Sequence, residues 1–154
     1  MLSNPVEDVP FNITRLSHVV LTSRDLDATR YFYEAGLGLE VTEHSATHLC
    51  VRAIEEVAHH SLRFEKVDHH RPGEVRAISY RMFSDDDLRR AFDWFSARGE
   101  RPEWVERPFQ GLTLRIVDAA TNASVCSCDT STSSVPDLLG FVNCDAAATL
   151  RRGR

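Results

Sequence analysis

The sequence predicts an α+β fold of two paired βαβββ modules, whose strands form a curved, barrel-like mixed sheet with a cleft between the modules. Three observations predict it. Leu16–Val41 reads as a strand, a tight connection, a short helix and a second strand, and the same order returns from Val75 onward. Phe32 with Gly36 in the first copy matches Phe95 with Gly99 in the second, an offset of about 63 residues. A four-stranded half-barrel with one covering helix leaves a sheet face unburied, so two such units are expected to pack together. The cleft they enclose is the default ligand site.

Residues 1–14, with Pro5 and Pro10 and little periodicity, read as an N-terminal arm. The aliphatic and β-branched run Val19, Val20, Leu21 and Thr22 favours a strand. Asp25 is placed to cap the helix that follows, and Leu26, Thr29, Phe32 and Tyr33 fall on one helical face. Gly36 and Gly38 stop that helix, because glycine takes the left-handed conformation a C-terminal cap needs. Strands follow at Leu39–Glu43, His48–Arg52 and His60–Lys66, and a turn at Arg71-Pro72-Gly73 closes the first module, residues 15–70.

The second module, residues 74–128, opens on a strand at Val75–Met82. Ser84 with Asp87 makes a capping-box-like start, an Asp standing where Glu or Gln is usual, and Leu88, Ala91, Phe92 and Phe95 give the helix its apolar stripe up to Gly99. Glu103–Glu106, Leu112–Val117 and Ser124–Cys128 supply the remaining strands, so residues 15–128 form a single domain. The segment 129–154 reads as a C-terminal tail, small and polar at first and basic at Arg151 and Arg152.

The composition, 42% apolar and 27% charged, is that of an ordinary globular chain of 154 residues. A net charge of −5 argues against nucleic acid, which calls for a clustered basic surface. No apolar run reaches the length of a membrane span, and MLSNPVEDVP lacks the blocks of a secretory signal, so a cytoplasmic location is expected. A reducing compartment makes free thiols of Cys50, Cys126, Cys128 and Cys144.

HVVLTSRDL (His18–Leu26), YFYEAGLGLEV (Tyr31–Val41) and the doubled βαβββ order together resemble the vicinal oxygen chelate superfamily of glyoxalases, bleomycin-resistance proteins and type I extradiol dioxygenases. CVRAIEEVAHHSLRF (Cys50–Phe64) and AISYRMFSDDDL (Ala77–Leu88) resemble most the N-terminal domain of extradiol dioxygenases of homoprotocatechuate or catechol type. In the catalytic domains of that family Fe(II) or Mn(II) is held by two histidines and a glutamate. The resemblance places His18 at the first ligand position, Ala77 at the second and Val125 at the third.

With two of the three ligands replaced, the resemblance implies a domain that is non-catalytic on its own and binds no metal. It would be a stand-alone relic, pack against a catalytic domain or pair with a second copy. Two alternatives remain open. One is a metal-dependent extradiol ring-cleaving dioxygenase that completes its site with another residue, such as His60, or with one from a dimer partner. The other is a metal-free protein that sequesters a small aromatic, catechol-like ligand.

His18 itself reads either as a metal ligand or as a hydrogen-bonded interior histidine. His60 and Tyr80 are the candidates to face a ligand in the cleft. His44, His48, His69 and His70 flank two turns, where they read as exposed polar residues or as a composite zinc site.

Overall fold

The computed structural model describes residues 10–68, 74–107 and 109–118, and the backbone of 124–128. The tail 129–154, the turn at Arg71-Pro72-Gly73 and the pair His69 and His70 lie outside the described residues. The first module comprises β1 (Ile13–Ser23), α1 (Leu26–Arg30), β2 (Glu40–His44), β3 (His48–Arg52) and β4 (Leu62–Lys66). The second comprises β5 (Val75–Met82), α2 (Asp85–Ala97), β6 (Glu103–Glu106), β7 (Leu112–Val117) and β8 (Ser124–Cys128).

All eight strands join one mixed sheet, in the order β2-β3-β4-β1-β5-β8-β7-β6. The expected doubling is present in the pairing itself. In each module the first strand runs parallel to the last, β1 with β4 and β5 with β8, and an antiparallel hairpin lies outside them. The modules meet along β1 and β5, which pair antiparallel through a register that includes His18 opposite Ser79 and Val20 opposite Ala77.

Each helix covers the same face of its half-sheet. Leu26 of α1 packs on Leu49, Val51 and Phe64, with Leu21, Tyr33 and Leu62 around them. Leu88 and Ala91 of α2 pack on Met82, Leu114 and Ile116, with Phe11, Phe92 and Phe95 around them. Phe92 also stacks on Trp104 of β6, at a centroid distance of 5.1 Å. Since side chains alternate along a strand, the residues between these, among them Cys50, Ala77, Ser79 and Thr113, fall on the helix-free face.

Helix termini follow from local chemistry. The Asp25 carboxylate accepts from the Asp27 and Ala28 amides and starts α1. The chain then widens into a π-helical turn, Tyr31–Gly36, in which Leu37 N–H donates to the Phe32 carbonyl. Only the second of the two expected stop glycines is left-handed, Gly38 at φ 74°, and its conformational counterpart in the second module is Gly99 at φ 82°. Gly36 lies inside the turn, because the wider winding carries the helical stretch further than an α-helical count allows.

At the second helix Ser84 Oγ accepts from the Asp87 amide. The buried Asp87 carboxylate accepts in return from Ser84 Oγ, from the Asn12 amide at 2.9 Å and from Arg90. Asn12 and Phe11 are thereby fixed against α2, just ahead of β1.

Candidate functional site

The helix-free face carries the polar residues of the interior. His18, at the centre of β1, is 3% exposed. Its Nε2 lies 3.0 Å from Ser79 Oγ on β5 and 3.0 Å from Gln110 Nε2, which reaches in from the connection before β7. An amide nitrogen can only donate, so His18 Nε2 accepts and the ring proton resides on Nδ1, where Ser17 Oγ lies at 3.3 Å. The lone pair that a metal would take is therefore already used.

Electrostatics agree with that reading. Burial, joined by the positive charges of Arg107 and Arg63, lowers the His18 pKa from 6.5 to about 4, so the ring is neutral at pH 7. Around it the cross-strand partner is Ser79, and Ala77 packs against Val20. Val125 pairs through its backbone with Ile78 and Ile116. Among the described residues these donors do not fit the two-histidine, one-carboxylate set of the resemblance: one imidazole is engaged, and no carboxylate accompanies it.

His60 and Tyr80 diverge. His60 lies in the connection just ahead of β4, because that strand begins at Leu62 and not at His60. Its ring, 4% exposed, meets His18 edge-on at a centroid distance of 4.5 Å. Tyr80 alternates with Ser79 along β5 and so shares a face with Met82, beneath α2. The structure thus brings His18 and His60 together and leaves Tyr80 on the other side of the sheet.

Around His60 lies a group that carries no combined signal in the sequence. His59 Nδ1 and His60 Nδ1 are 3.0 Å apart, and the His59 ring stacks on Phe109 at 3.9 Å with the planes 2° apart. Burial, followed by the charge of His18 and its neighbours, lowers the His60 pKa to about 3. Cys50 of β3 is fully buried and is a free thiol, with its pKa raised by burial to about 11.

One donor atom from each of Cys50, His59 and His60 lies within 4.8 Å of the others, and the same holds for Glu43, His48 and Cys50. His48 Nε2 contacts the Glu43 carboxylate at 3.0 Å, and His44 faces Asp27 at 3.5 Å. Cys50 and His59 are nine positions apart along a strand and an irregular loop, so only the fold juxtaposes them. Gln110 is likewise a loop residue, 92 positions from His18.

Residues 15–114 match the family model described as Glyoxalase/Bleomycin resistance protein/Dioxygenase superfamily. Among solved structures, the chain is similar to an extradiol ring-cleaving dioxygenase from B. fuscum, with 25% identity and a TM-score of 0.68 over 77% of this chain and 33% of that one. It is also similar to the complex of homoprotocatechuate 2,3-dioxygenase from Brevibacterium fuscum with 3,4-dihydroxyphenylacetate, with 25% identity and a TM-score of 0.69 over 79% of this chain and 38% of that one. A homoprotocatechuate 2,3-dioxygenase from Arthrobacter globiformis shares the fold at 24% identity, with a TM-score of 0.69 over 85% and 42%. The chain therefore spans well under half the length of these structures. No curated protein matches it. No helix among the described residues is long and apolar enough to cross a membrane.

Proposed function

Because the chain belongs to the glyoxalase/bleomycin resistance protein/dioxygenase superfamily, we propose that it is an extradiol-dioxygenase-like domain that does not itself cleave aromatic rings. It would act as the structural companion of a catalytic domain or of a second copy. The observation that carries this reading is the engagement of His18 Nε2 by Ser79 and Gln110, with Ala77 in the place of a second ligand.

The test is catalytic. Protein loaded anaerobically with Fe(II) or Mn(II) and then given dioxygen with 3,4-dihydroxyphenylacetate or catechol is expected to form no yellow ring-fission product. Saturable turnover that disappears in His18→Ala would sink the proposal.

The competing reading is a metal-dependent ring-cleaving dioxygenase using His18 with His60, and the edge-on contact of those two rings favours it. It expects iron-dependent turnover that is lost in His18→Ala and in His60→Ala alike.

A further inference from the structure

We propose that Cys50, His59 and His60 form a binding site for a zinc-class divalent cation, distinct from the place of His18. Three independent features of the helix-free face point to it. One donor atom from each of the three residues already falls within 4.8 Å of the other two. Around zinc, with bonds of roughly 2.0–2.3 Å, tetrahedral donors sit about 3.3–3.6 Å apart, so the set closes if its donors draw in by roughly 1 Å.

The second feature is His60. Its Nδ1 faces another imidazole nitrogen, His59 Nδ1, at 3.0 Å, while its Nε2 is buried with no hydrogen-bond partner. Whichever tautomer the ring adopts, one nitrogen is left unsatisfied in the interior, a situation that folded proteins avoid. A cation bound through Nε2 would give the ring the partner it lacks. The third feature is orientation: the stack of His59 on Phe109 holds that ring in place beside His60 before any ion arrives.

The donor set selects the ion. One sulfur and two imidazole nitrogens suit Zn(II) or Co(II), whereas calcium and magnesium take oxygen ligands. Binding replaces the Cys50 thiol proton by the metal: the S–H bond breaks, the S–metal bond forms from the same electron pair, and the proton leaves to solvent. The Arg63 guanidinium, whose charge acts on Cys50 and both histidines, opposes a cation. The thiolate so formed and the Glu43 carboxylate, which groups with Cys50 through His48, offset it. Three protein donors leave a fourth position for water, and the half-buried His59 marks the side from which it enters.

The experiment is a Co(II) titration of the full chain after chelator treatment, read by optical absorption. We expect saturation at one ion per chain with a thiolate-to-cobalt charge-transfer band. The band should persist in the Cys126→Ser, Cys128→Ser, Cys144→Ser triple variant, disappear in Cys50→Ser, and require at least tenfold more cobalt in His60→Gln. Absence of saturable binding by the folded chain, or loss of the band in the triple variant, overturns the proposal.

Should Cys50→Ser fail to fold, X-ray absorption of the zinc-loaded triple variant decides. A shell of one sulfur with two imidazoles supports the site, and a shell without sulfur refutes it. Neither result depends on ring cleavage, so this proposal and the functional one fail separately.

Discussion

His18 combines near-complete burial with a neutral ring held between a hydroxyl and an amide, and this has a measurable consequence for metal-free protein. Its pKa of about 4 in the folded chain lies below the unfolded value of 6.5. As pH falls from 6.5 towards 4, the unfolded chain takes up a proton that the folded chain refuses. Stability from this group is therefore fully present above pH 6.5 and declines across that window, by on the order of 3 kcal/mol. His60, lowered to about 3, acts in the same direction. Denaturant titrations between pH 4 and 7 should show this decline, with a shallower slope in His18→Gln. A slope identical in that variant would show that His18 is not the group responsible. The position of His18 on the first strand was legible in the sequence, because the strand pattern and the motif around it are local. Its partners were not: Gln110 belongs to an aperiodic connection, and the nearness of Cys50 to His59 and His60 exists only after β3 and β4 pair.

For the elements, the two helices offer contrasting tests of how each is ended and begun. Gly38 is left-handed at φ 74°, so Gly38→Ala should destabilise by about 1 kcal/mol, although space for the methyl group is open. A methyl group at Gly36 would meet Phe32 Cδ2 at an ordinary 4.0 Å. Gly36→Ala should therefore stabilise by roughly 0.4–1 kcal/mol. The sequence repeat pairs Gly36 with Gly99, whereas the backbone pairs Gly38 with Gly99. The π-helical winding of Tyr31–Gly36, which has no counterpart in α2, is why the two pairings differ.

At the start of α2, burial alone would raise the Asp87 carboxyl, but hydrogen bonds from Ser84 and Asn12 and the charge of Arg90 outweigh it and hold its pKa below the ordinary value. Asp87 thus contributes stability at neutral pH that is lost as pH falls below the ordinary carboxylate range. Asp87→Ala should cost about 2–3 kcal/mol in denaturant unfolding at pH 7, through the carboxylate lost to Ser84 and Arg90 and the stranded donors of Asn12. A change below 0.5 kcal/mol would show that the box is ornamental.

Across the whole molecule, the doubled order read from the sequence is reproduced as two half-sheets with the same strand arrangement. Patterning exposed it because each module repeats one succession of periods, two for strands and 3.6 for helices. The joint between the modules was less visible, since the small Val20 and Ala77 and the polar His18 and Ser79 that face each other there lack the signal of a large apolar seam.

That joint bears on the order in which the chain can be made. During synthesis the first half-sheet can close as soon as β4 has emerged, yet β1 then still presents one bare row of amides and carbonyls, which only β5 covers. A nascent or proteolysed chain that stops before residue 74 carries an open edge 11 residues long. Such a fragment should self-associate through β1, a second copy standing in for the missing half. Gel filtration of residues 10–68 would reveal it as a dimer or larger species, and a monodisperse folded monomer would show that β1 needs no partner. The antiparallel seam is thus also a checkpoint: until the second half arrives, the first remains open to association.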